Sequence, residues 1–139
     1  MASPALILRF RELTPDVDTI EAHQYAIYHK RYVWWGWWKK QMEPDHDKDL
    51  ELLKSTVTTS NPAVAWLIDT SAERLHRATV TAVKTSLSVR ERRYVPAYYR
   101  KSVADIPAWF RVTNIEADVP YRRDFEGVIG LDTFALLSE

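Results

Sequence analysis

The chain has 139 residues, which is one domain's worth, and it balances 19 basic against 19 acidic side chains. That neutrality argues against a general nucleic-acid coat, whose affinity comes largely from phosphate neutralisation. With no cysteine at all, disulfides and thiolate metal sites are excluded, and a reducing, cytoplasmic location is the expectation. No apolar run approaches the ~18 residues that a membrane-spanning helix needs, and no charged-then-apolar leader opens the chain.

The first element is ALILRFREL at 5–13. Leu6, Leu8 and Phe10 alternate with Arg9 and Arg11, the period of a half-buried strand. Next comes TPDVDTIEAHQYAIYHK, where Pro15 and the Asp18 to Glu21 spacing mark a helix start with a capping box. Ile20, His23 and Ile27 then share one helical face. His23, between two isoleucines, reads as a core or pocket-wall histidine.

VWWGWWKK at 33–40 holds four of the six tryptophans. Aromatic residues and valine favour a pleated strand. In that register Val33, Trp35 and Trp37 point one way, while Tyr32, Trp34 and Trp38 point the other. Two aromatic faces require either a covering element on each side or a ligand stacked on one of them. Gly36, mid-strand, marks a bulge or a close approach by another group. Lys39 and Lys40 follow at once and can set an ammonium beside the rings.

The acidic stretch EPDHDKD leads into a short helix with Leu50, Leu53 and Val57 on one face. DHDKD lacks the sixth-place glycine and the terminal glutamate of a calcium loop, and no HExxH or paired-histidine spacing appears. No metal or cofactor is therefore expected. Asn61–Pro62 breaks the chain. AVAWLIDT at 63–70 is a near-continuous apolar strand, and RLHRATVTAVKTS is a long one with Ala78, Val80 and Ala82 on one face. The connection RERRY and the turn VPAYYRKS precede the strand IPAWFRVTNIEA at 106–117. The tail VPYRRDFEGVIGLDTFALL reads as a loop with a final helical turn.

Eight cations lie between positions 73 and 101 against two glutamates. They form either a solvated face or a patch for an anion. The element order points to an α+β domain spanning 1–139, a mostly antiparallel curled sheet or small open barrel with two main helices. No catalytic residue stands out: there is no GxSxG and no phosphate-cradling glycine loop.

The stretches AVAWLIDT, RLHRATVTAVKTS, VPAYYR and IPAWFRVTNIEA, closed by GLDTFALL, resemble the PUA-like superfamily, especially its EVE and ASCH branches. The first strand, helix and VWWGWWKK also resemble N-terminal modules of larger bacterial signalling or defence proteins. The resemblance implies a barrel with a cleft for a planar heterocycle, either a modified base in nucleic acid or a free nucleotide. It carries Tyr98 as the turn aromatic and Trp109 as the late-strand aromatic. Residue chemistry adds Trp35, Trp37 and Lys39 to the site, with Arg92 and Arg93 meeting phosphate. Two other readings stay open. One is a regulatory, protein-interaction domain acting on a downstream effector domain. The other is a small ASCH-type hydrolase, with Lys39, Thr79 and Glu116 as its candidate group.

Overall fold

The computed structural model describes residues 4–12, 16–116 and 119–137, with the side chain of Tyr99 left aside. The expected strand ends at Leu13 and Ala117, and the helix-start signal at Pro15, lie outside the described residues. The elements run β1 (Ala5–Arg9), α1 (Thr19–Lys30), β2 (Val33–Gly36), α2 (Asp47–Thr56), β3 (Ala63–Asp69) and β4 (Arg74–Lys84). Two 3₁₀ segments, Glu91–Tyr94 and Ala97–Asp105, lead to β5 (Trp109–Glu116), α3 (Asp124–Ile129) and β6 (Phe134–Leu137).

One six-stranded sheet has the order β2-β5-β4-β3-β1-β6. Only β1 with β3 pairs parallel, and the other pairs are antiparallel. This is the expected α+β class and mostly antiparallel sheet. The tail differs from the expectation: after a short helix it forms β6, which pairs with β1 from Leu8 opposite Phe134 to Ala5 opposite Leu137. A four-residue edge strand carries too few positions for alternation to declare itself.

Both faces of the central strands are covered. Leu6 and Leu8 enter the main core, while Ile7 joins Ile68, Leu75, Phe125 and Ile129 under α3. Two-sided burial explains why β3 reads as a continuous apolar run. α1 starts where Asp18 accepts a hydrogen bond from the Glu21 backbone N–H (3.0 Å), satisfying one of the first-turn donors. It buries Thr19, Ile20 and His23. α2 buries Leu50 and Leu53.

VWWGWWKK divides as its alternation requires. Val33, Trp35 and Trp37 pack in the main core, and Trp34 packs with Trp109, Val95, Val103 and Ile106 beneath the 3₁₀ segments. Burying one indole removes ~150–250 Å² from water, about 4–6 kcal/mol of gross apolar transfer. Gly36 has a close-packing reason. A Cβ there would lie 2.9 Å from Ile106 Cδ1 and 3.0 Å from Trp109 Cζ3. The close approach is made by side chains of the second core.

The face expected for β4 is broken by irregular pairing. Val80 faces Val112, yet Ala82 faces Arg111 and Thr79 faces Asn114, so Thr81 on β4 and Thr113 on β5 are extra residues. Each slip reverses the side-chain phase. Ala78, Val80 and Val83 therefore enter the main core, and Ala82 turns to the second one.

Among the described residues, the sheet does not close by strand pairing. The chain following β2 instead meets the turn before β6 through side chains. Trp37 Nε1 donates to Thr133 Oγ1 (2.8 Å), and Lys40 Nζ donates to the Leu131 carbonyl (2.5 Å). Thr133 donates to Glu43 from its backbone N (2.8 Å) and from Oγ1 (2.5 Å). Bulges that curl the sheet and side chains that tie its rims together give an open barrel.

Candidate functional site

A cleft of about 500 Å³ opens where the end of β1, the start of α1, the chain after β2 and the β3–β4 turn meet. Its aromatic lining is Phe10, Trp35, Trp38 and Tyr98. Trp35 is only 4 % exposed and forms part of the floor. Its ring stands perpendicular to Phe10 at 5.8 Å and lies 4.3 Å from the His23 ring. Trp38 is 38 % exposed. β2 ends at Gly36, and Trp38 beyond it stands at the cleft wall. Tyr98 is half-buried there.

Four cations, Arg9, Arg11, Lys39 and Lys40, line the same cleft against one carboxylate, Asp69. Arg9 Nη2 donates to the Gly130 carbonyl (2.8 Å), and Lys40 is held by Leu131. Neutral carbonyls orient these cations without cancelling their charge. Lys39 pairs with the exposed Asp45 at 3.2 Å, a contact of low energy at a surface. Asp69 is turned to its own loop and accepts from the backbone N–H groups of Ser71 (3.0 Å) and Ala72 (3.2 Å). The cleft thus combines rings with positive charge, in a chain whose total charge is zero.

Two wall groups are fixed in protonation state. Burial lowers the His23 pKa from 6.5 to about 4, partly opposed by the hydrogen bond between Nδ1 and the Thr19 carbonyl (2.7 Å). The ring is therefore neutral at pH 7, with its proton on Nδ1. Burial likewise pushes the Tyr98 hydroxyl up to about 12, against a hydrogen bond with the Thr19 side chain, so it stays a donor. Beside the cleft, Glu43 keeps its charge. Burial would raise its pKa, but hydrogen bonds from Thr133 and the Lys40 backbone bring it below the ordinary value.

The sequence-derived site residues separate into three groups. Trp35, Lys39 and Tyr98 come together in the cleft. Trp37 and Trp109 are each 1 % exposed, and their rings serve the two cores instead of a guest. Arg92 and Arg93 belong to the 3₁₀ segment Glu91–Tyr94 and do not line the cleft. Arg93 borders a second groove with Lys30, Tyr94 and Arg100. The cations at the cleft are Arg9 and Arg11 from β1 with Lys39 and Lys40. Sequence reading found both pairs but had no signal for their meeting. Trp38, on the same face of the strand pattern as Tyr32 and Trp34, is the most exposed of the four clustered indoles. Of the hydrolase group, Lys39 lines the cleft and neither Thr79 nor Glu116 does.

The PUA-like family model matches residues 6–128. The chain belongs to the PUA-like family. PUA-like domains bind nucleic acids in general, and the open barrel with its aromatic, cationic cleft is this chain's version of the fold. No curated protein and no solved structure matches it. Among the described residues, no helix is long and apolar enough to cross a membrane.

Proposed function

We propose that this PUA-like domain is a non-catalytic binding module whose cleft takes a planar heterocycle bearing phosphate: a nucleotide, or a modified base within a strand. One observation carries the reading. Trp35, Trp38 and Tyr98 share a single cleft with Arg9, Arg11, Lys39 and Lys40. A base stacked on an aromatic ring gains roughly 1–3 kcal/mol, and a base drawn from a duplex costs a few kcal/mol in unstacking. One or two stacking contacts offset that cost, and the cations supply the phosphate attraction. A volume of about 500 Å³ suits one nucleotide. The absence of cysteine supports a cytoplasmic setting.

The test is titration of the full chain with nucleoside mono- and diphosphates and with short strands carrying modified bases, read by tryptophan fluorescence and calorimetry. Saturable quenching, lost in Trp38→Ala with the melting temperature unchanged, is expected. No saturable signal across the panel, or equal binding by Trp38→Ala, overturns the reading.

A further inference from the structure

Beyond the cleft, the acidic stretch after β2 folds back on the turn before β6 and gathers Glu43, His46 and Asp132. One donor atom from each lies within 4.8 Å of the other two. His46 Nε2 stands 3.4 Å from Glu43 Oε2 and 3.6 Å from Asp132 Oδ2. Donors bound at ~2.0–2.2 Å around a tetrahedral ion sit roughly 3.3–3.6 Å apart. The two separations from His46 match that spacing, and the third donor pair lies within 4.8 Å.

Two further features point the same way. The Nε2 atom of His46 is shielded from solvent and makes no hydrogen bond. Its other ring nitrogen, Nδ1, faces Asp49 Oδ2 at 4.0 Å. That separation is longer than a hydrogen bond, so Asp49 places negative charge near the ring without fixing its tautomer. Glu43 is also pre-set, since Thr133 and the Lys40 backbone N–H hold its carboxylate in place. The His46 and Asp132 side chains remain partly open, so water can take a fourth position.

We propose that Glu43, His46 and Asp132 bind one zinc ion, which staples the chain after β2 to the turn before β6. Imidazole with two carboxylates suits zinc among the divalent cations. Calcium wants 6–8 oxygens, which this group does not offer. The staple sits beside Thr133, a cleft residue, and closes by coordination the rim that strand pairing leaves open.

The test uses the full chain, freed of metal by a chelator and titrated with zinc chloride at pH 7.5. Calorimetry and thermal melting are followed, together with the ring ¹⁵N shifts of His46. One equivalent of zinc, a melting temperature raised by several degrees and a shift confined to Nε2 are expected. His46→Asn and Asp132→Asn should each weaken zinc binding at least tenfold. Asparagine tolerates the left-handed backbone of His46 (φ 54°), and Asp132 is partly exposed, so at least one variant remains folded. Three outcomes overturn the proposal. One is no zinc uptake. Another is uptake unchanged in either folded variant. The third is a melting temperature that follows the protonation of His46 but not zinc, which would make the group an ion-pair latch.

Discussion

The Trp37 indole N–H reaches Thr133 Oγ1 at 2.8 Å across 96 residues of chain, and the Thr133 hydroxyl donates in turn to the Glu43 carboxylate at 2.5 Å. All three side chains are buried. A buried hydrogen bond contributes about 1 kcal/mol net, but an orphaned partner costs about 1–3 kcal/mol. Trp37→Phe keeps an aromatic core and removes the donor. Urea denaturation should show a loss of about 1–3 kcal/mol. Thr133→Val should cost at least as much, because it orphans the Trp37 indole N–H and removes one of the three hydrogen bonds to Glu43. The two changes should combine less than additively, with a coupling of roughly 0.5 kcal/mol or more.

Gly36 sits where Ile106 and Trp109 leave no room for a methyl group. Gly36→Ala should destabilise the fold by about 1–3 kcal/mol through overpacking. Gly36→Ala combined with Ile106→Val should recover part of that loss. No change in the denaturation midpoint for the single variant would mean that the second core yields freely.

His23 should govern stability on the acid side of neutrality. Its folded pKa, about 4, lies below the ordinary 6.5, so the unfolded chain takes up the proton first as pH falls. The stability is full above pH 6.5 and is lost progressively as pH drops towards 4. The upper bound is roughly 3–4 kcal/mol for this one group. In His23→Gln this dependence should disappear, as measured by chemical denaturation at steps between pH 7 and pH 4.

Glu43 acts in a lower window. Its pKa in the fold is below the ordinary 4.5, where the hydrogen bonds from Thr133 and Lys40 overcome the opposing effect of burial. The stability it contributes is present above about pH 4.5 and falls away as pH drops through the lowered value. Glu43→Gln should be less stable at pH 7 and flatter below pH 4.5. A wild-type slope retained in the variant would assign the acid limb to other carboxylates.

Binding and stability should separate at the cleft. Arg11 and Lys39 line it at the surface, while Trp109 is sealed in the second core. Arg11→Ala and Lys39→Ala should each weaken nucleotide or strand binding and lower the salt dependence by about one charge, with melting unchanged. Trp109→Phe should lower stability while leaving the dissociation constant of the folded protein within a few-fold. Arg92→Ala and Arg93→Ala, which do not line the cleft, test the phosphate role that residue chemistry suggests for them. Weaker binding in those variants would extend the interface to the second groove.

Several features were legible from the residues alone. The 3.6-residue period of α1 and the alternation of β1 and β2 are fixed by backbone geometry within a few positions. The assignment of Val33, Trp35 and Trp37 to one face and Trp34 to the other therefore needed no partner. Cap chemistry likewise marked the start of α1 at Asp18. The resemblance carried by AVAWLIDT to IPAWFRVTNIEA led to the family that the match over residues 6–128 shows.

Other features depended on pairings between distant segments. The extra residue Thr81 reverses the face of Ala82 and the extra Thr113 shifts the phase of β5, and a slip of that kind belongs to two strands together. β6 exists because β1 offers it a free edge. The decision that Trp37 is core while Trp38 stands in a cleft came from the rim contact with Thr133. Arg9 and Arg11 meet Lys39 and Lys40 only because the sheet curls. Periodicity sets which way a side chain points along its own strand. Long-range packing, whose contacts span up to the whole chain, sets what it points at.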